Sequence, residues 1–159
     1  MKFLYFIFFI FISCNSNFNL NETWNQALEF RKESNLKEAI TSLKKIIKFG
    51  KDDLFLVKAQ YQLADIYLND VNNYTFATQE FKKLIDKYPE SEFAKKSIFM
   101  LGYINSNYIQ SYDDAITYYS MFLKKYPNDD LVYSVKYELD LLDSLGVINI
   151  IENFRSKNK

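Results

Sequence analysis

The sequence predicts an all-α chain: an array of antiparallel helix pairs, about three and a half repeats long. Three observations predict it. First, an interval of 38 residues separates Ala39 from Ala77 and Ala77 from Ala115, and it also links Leu43, Phe81 and Tyr119, and Ile46, Leu84 and Phe122. Second, within each copy these apolar positions lie three and four residues apart, which places them on one face of a helix. Third, Tyr88-Pro89 and Tyr126-Pro127 each follow an interval alanine, with the proline 12 residues after it. Proline lacks an N–H and disfavours helix in the residue before it, so each Tyr-Pro closes a helix.

The elements follow in order. First members of the pairs fall near Glu22–Glu33, Asp52–Leu68, Glu90–Asn107 and Asp129–Leu145, and second members near Leu36–Lys48, Tyr74–Lys87 and Tyr112–Lys125. Asn35, Asn73 and Ser111 stand just ahead of the second members, where a short polar side chain accepts a hydrogen bond from an unpaired N–H. Gly50 and Gly146 are expected as left-handed helix ends. Beyond Gly146, Ile150 and Phe154 keep the interval from Tyr112 and Ile116, so this stretch reads as a truncated last helix covering the open end of the stack, with residues 156–159 a polar tail.

Ala77-x3-Phe81 with Pro89, and Ala115-x3-Tyr119 with Pro127, resemble the tetratricopeptide repeat, as do Tyr61-Gln62-Leu63-Ala64 and Phe99-Met100-Leu101-Gly102 upstream of them. The first copy has Ala39 and Leu43 but carries Lys51 where the proline would fall. The usual period is about 34 residues, and the extra ones here fall mainly after the proline, lengthening the next first helix. That longer form is similar to the repeats of bacterial envelope lipoproteins of the BamD and CpoB type. The resemblance covers residues 22–145 and implies a right-handed superhelical array. It also implies a protein-binding scaffold that supports outer-membrane protein assembly, with coordination of envelope or cell-wall machinery the close alternative; a lipoprotein that grips a sugar or peptide in an aromatic cleft is the alternative of a different class.

At the N-terminus, Lys2 precedes an apolar run from Phe3 to Ile12, followed by Ser13 and Cys14. This is the layout of a signal peptide, and ten apolar residues are too few for a bilayer span of about 20. Phe11-Ile12-Ser13-Cys14 resembles the lipobox, in which the cysteine is lipidated and becomes the mature N-terminus. Residues 1–13 are accordingly expected to be the lipoprotein signal, 14–21 the lipidated cysteine and a short tether, and 22–155 the repeat domain. An ordinary secretory signal and an uncleaved anchor are the alternatives. Cys14 is the chain's one cysteine, so no intramolecular disulfide or cysteine-based metal site forms. The expected address is the cell envelope: an outer-membrane lipoprotein facing the periplasm, held to the membrane by its N-terminal lipid and meeting protein partners there.

Composition narrows the function classes. Removing Lys2 with the signal leaves 19 of the 20 basic residues against 20 acidic ones, a balance that argues against nucleic acid. Histidine is absent, which removes the commonest general base and nitrogen ligand. The pairs Asp52-Asp53, Asp113-Asp114 and Asp129-Asp130 sit near helix starts, where negative charge meets the helix dipole. No phosphate loop or nucleophile motif is present, so no enzyme, cofactor or metal is expected. Lys44-Lys45, Lys82-Lys83 and Lys124-Lys125 read as a solvated outer face rather than an anion-binding stripe. Among the tyrosines, Tyr103, Tyr108 and Tyr133 are expected as exposed contacts.

Stacked helix pairs curve, and their first helices line the inside. Projecting the interval onto those helices aligns Trp24, Gln62, Met100 and Glu138, then Leu28, Ile66, Ile104 and Leu142, then Arg31, Asn69 and Asn107. The predicted partner-binding residues are Trp24, Arg31, Gln62, Asn69, Met100, Asn107 and Glu138. Trp24 and Met100 would anchor an extended segment or helix, while Arg31, Asn69 and Asn107 would bond its polar groups. The middle row reads equally well as core.

Overall fold

A computed structural model describes residues 18–157; the expected signal sequence and Cys14 lie outside the described residues. Eight α-helices follow: α1 (Leu20–Lys32), α2 (Leu36–Phe49), α3 (Asp53–Asp65), α4 (Tyr74–Lys87), α5 (Glu92–Ile104), α6 (Tyr112–Lys125), α7 (Val132–Ser144) and α8 (Val147–Lys157). Helices α3 and α5 run on into π-helical turns, Ile66–Asp70 and Asn105–Ile109. Each helix packs on its neighbours in sequence, and α3 also touches α5. The fold is therefore the expected all-helical stack of consecutive pairs.

The interval residues build its core. Ala39, Ala77 and Ala115 are fully buried, and Leu43, Phe81 and Tyr119 fill the space beside them. An alanine lets two helices approach closely, and the larger residue one turn on occupies the wedge that opens beyond it. Three clusters result. One spans α1–α5, one joins α5, α6 and α7, and a small one holds Val57, Leu84 and Ala94; Ile85 packs against all three.

Tyr88 and Tyr126 end α4 and α6 directly before the two prolines, as expected. Helix starts follow their caps. Asn19 Oδ1 accepts from Glu22 N–H at 3.1 Å, so α1 begins two residues ahead of the expected Glu22, with Phe18 and Leu20 packed on the core. Asp52 accepts from Leu54 and Phe55 N–H, and Ser91 from Ala94 N–H. Of the three caps foreseen for the second helices, only Asn73 makes the bond, to Phe76 N–H at 3.1 Å. Asn35 and Ser111 hold the position without it, and the Ser111 hydroxyl donates instead to Asp114.

The turns inside the pairs recur too. Ser34, Asn72 and Gln110, again 38 residues apart, all take a left-handed backbone with φ of 56–60°. Ser34 N–H reaches back to Arg31 O, and Asn35 N–H to Phe30 O, the paired bonds of a Schellman end made without glycine. Gly146 is left-handed as expected. Gly50 is not: its backbone is extended, and its need for glycine is steric, since a Cβ would lie 2.6 Å from Ile46 O.

Candidate partner-binding face

The row Trp24, Gln62, Met100 and Glu138 is half-buried at all four positions. Burial thus keeps the interval while chemistry changes, from indole to amide to thioether to carboxylate. Trp24 meets Phe55 edge-on at 5.9 Å, and Met100 packs on the first core cluster. Glu138 Oε2 is cut off from solvent beside the buried Tyr119 hydroxyl; burial, then the carboxylate's charge, push that hydroxyl's pKa up. In the next row Ile66, Ile104 and Leu142 are core, whereas Leu28 is exposed because no helix precedes α1 among the described residues.

Arg31 and Gln62 are brought together, but each turns its polar group on the other. The guanidinium donates from Nη1 to Gln62 Oε1 at 2.7 Å, and it pairs through Nη2 with Asp65 at 2.6 Å and through Nε with Asp70 at 2.7 Å. Burial alone would lower the Arg31 pKa; the bonds and charges of Asp65 and Asp70 reverse that and raise it. All three nitrogens are thus committed to a clamp between the end of α1 and the end of α3. Asn69 is exposed and donates to Asp65, which buttresses the clamp, while Asn107 is exposed and donates only to Tyr103 O within its own helix.

Between these rows the structure gathers an aromatic group. Tyr74 and Tyr108 stack at 4.4 Å, Tyr103 meets Tyr108 edge-on at 5.9 Å, and Phe99 stacks on Tyr103 at 6.4 Å. Tyr103 is half-buried and Tyr108 exposed. Burial, and next the neighbouring Tyr108, push the Tyr103 hydroxyl's pKa up, so it stays a neutral donor and acceptor. Of the tyrosines expected to be exposed contacts, Tyr108 and Tyr133 are exposed but Tyr103 is half-buried, because it packs between Phe99 and Tyr108; nothing local in the sequence reveals the stacking on Tyr74.

Most of the lysine pairs are occupied. Lys44, Lys45 and Lys82 lie over the rings of Tyr67, Phe18 and Tyr118, Lys83 pairs with Glu80, and Lys125 with Glu90. Lys44, Lys48, Lys83 and Lys87 rim a cleft of about 380 Å³, and two side chains lining it, the buried Gln60 and Glu80, are hydrogen-bonded to each other. Among the described residues no group of three metal-ligating side chains converges, and no helix is long and apolar enough to cross a membrane. The face is suited to holding a surface: an indole, a thioether and a tyrosine cluster supply apolar area, flanked by acids and amides.

Residues 58–91 and 96–129 each match the family model described as the tetratricopeptide repeat. The matched stretches leave residues 92–95, the first turn of α5, between them. The length beyond the usual repeat therefore lies after Pro89, where the sequence placed it. No curated protein matches the chain.

Proposed function

We propose that this chain, whose residues 58–91 and 96–129 are tetratricopeptide repeats, is a protein–protein interaction scaffold that grips its partner on the first-helix face. The observation that carries the reading is the row Trp24, Gln62, Met100 and Glu138, half-buried throughout and different at each step. Partly exposed positions that keep their depth and change their chemistry give a rigid template with a sequence of contacts along it. Met100 and the Tyr103–Tyr108 pair are its apolar anchors.

The scaffold's address in this reading is the cell envelope, with Cys14 lipidated and the array held near the membrane. The lipobox-like Phe11-Ile12-Ser13-Cys14 after a short apolar run supports it. Two or more acyl chains would give stable anchoring where one gives only marginal binding. By its resemblance to BamD-type lipoproteins, the scaffold supports outer-membrane protein assembly. The test is photo-crosslinking from position 100 or 107 in cells, followed by identification of the adduct. A β-barrel protein or its assembly machinery supports the reading, and a cell-wall enzyme moves it to the CpoB-like role. No adduct at either position, with the protein present and folded, removes the partner-binding face. A Cys14→Ala chain that stays with the membrane sinks the anchor.

The exposed Tyr108 stacked on Tyr74 resembles a platform for a sugar ring or a peptide side chain. A thermal shift on adding glycans or short peptides supports that ligand-binding role, and no shift from any of them dismisses it.

A further inference from the structure

We propose that the outward face of α7 is a twofold interface through which two copies of this chain pair. Tyr133, Tyr137, Leu141 and Leu145 follow one another at intervals of four and form one stripe, exposed by 84 %, 67 %, 44 % and 64 %. It runs for about 18 Å at 1.5 Å per residue. Helix α8 packs on α7 and leaves this stripe open.

The repeat register identifies what the stripe is. One interval earlier its members correspond to Lys95, Phe99, Tyr103 and Asn107, and two intervals earlier to Val57, Tyr61, Asp65 and Asn69. Toward the start of each first helix those positions meet the following repeat, whereas Asp65 turns back to Arg31 and Asn69 and Asn107 stay exposed. Tyr61 packs on Phe93 at 5.2 Å, Val57 clusters with Ala94, and Lys95 bonds Asp129 at 2.6 Å. The Tyr133–Tyr137 half of the stripe is therefore a stacking face of the kind used twice inside the molecule, here with no further repeat among the described residues to receive it, and Leu141 and Leu145 extend it. Its composition has shifted accordingly: the lysine of α5 is replaced by Tyr133, and the asparagine by Leu145.

The opposite end of the array does not fit it. On α1 the positions matching the buried Ala59, Leu63 and Ile66 are Asn21, Asn25 and Leu28, all exposed and mostly polar. Head-to-tail stacking would bury two asparagine amides against tyrosines and leucines without partners, and it would not close. The stripe complements itself instead. With two α7 helices antiparallel about a twofold axis, Tyr133 lies opposite Leu145 of the second copy, and Tyr137 opposite Leu141. The exposed charges follow one edge: Lys136, then Asp140 and Asp143. A twofold axis perpendicular to the helices brings matching edges together, so Lys136 of each copy meets Asp140 and Asp143 of the other. Among the described residues none of the three forms an ion pair within the chain.

Sedimentation velocity of the full chain in mild detergent tests this, with circular dichroism as the check on folding. The expected result is a concentration-dependent dimer that Tyr137→Glu weakens at least about tenfold, as burying a charge at the centre of an interface does. Lys136→Asp alone and Asp140→Lys with Asp143→Lys each weaken self-association, and mixing the two forms restores pairing as a heterodimer. A monomer at every concentration overturns the proposal. So does association that Tyr137→Glu leaves unchanged, or an open ladder of larger assemblies.

Discussion

Gly102 shows how little room a single residue has in this stack. A Cβ at that position would lie 2.5 Å from the Tyr119 ring, which is fully buried and cannot swing aside. Alanine gains up to about 1 kcal/mol of helix propensity over glycine, against about 1–3 kcal/mol for overpacking. We predict that Gly102→Ala lowers unfolding free energy by about 1–2 kcal/mol in denaturant melts. Arg31 is the contrasting case, a residue whose worth is electrostatic. Its side chain and that of Asp65 are each 24 % exposed and that of Asp70 31 %, so solvent screens the clamp. Arg31→Ala is expected to cost only about 1 kcal/mol, less in high salt, because partly exposed ion pairs are worth little. It would also release Gln62, Asp65 and Asp70 to solvent, so a partner that uses those groups should bind the variant at least as well as the parent.

At the scale of elements, a three-way polar contact braces the junction from α5 to α7 alongside the cluster that joins them. Lys95 Nζ lies 2.6 Å from both Glu92 and Asp129, and Asp129 also accepts from Leu131 N–H at the approach to α7. The bond to Lys95, followed by the backbone bond, holds the Asp129 pKa below the ordinary 3.8; bonds to Asp129 and Glu92 raise that of Lys95 above 10.5. A depressed acid contributes stability that is fully present above 3.8 and lost as pH falls through its folded value. A raised lysine contributes stability that is present below 10.5 and lost as pH rises through its folded value. The melting temperature should therefore have an acid limb that flattens in Asp129→Asn, and an alkaline limb that flattens in Lys95→Met.

The extents of the elements also show what a sequence can reveal. Helices α4 and α6 were legible to the residue, because Asn73 and Ser111 precede them and Tyr-Pro follows. First-helix ends were less so. Whether Asn19 or Ser91 bonds a particular N–H depends on backbone angles that no residue type dictates, and the π-helical turns rest on bonds such as Val71 N–H to Ile66 O at 3.0 Å. At the candidate site the rows were legible, since buried depth must repeat in a stack. The Arg31 clamp was not. It joins residues 34 and 39 apart in the chain, and Asn69 and Asn107 stand where its counterparts would be, so no repetition announces it.

At the scale of the molecule, the three core clusters meet at Ile85, which is itself only half-buried. A solenoid's cooperativity depends on such couplings between neighbours more than on any one repeat. Ile85→Ala should cost about 1–2 kcal/mol, below the range of about 2–5 for a fully buried isoleucine. It should also separate two probes that coincide in the parent. Trp24, the single tryptophan, reports the α1–α3 end by fluorescence, whereas circular dichroism reports every helix. Coincident curves in the variant would mean that the clusters are coupled elsewhere.

The four residues Glu92–Lys95 that lengthen the repeat have a last consequence. Four residues turn a helix by about 400°, a full revolution plus 40°, so whatever follows them keeps nearly its original bearing. Growth at this junction is thereby quantised in whole turns. Excising residues 92–95 as a block should leave Ile98 and Leu101 pointing inward, in a weakened but helical array. Removing only two would swing them by about 200° into water, and far-UV spectra should then report collapse of α5.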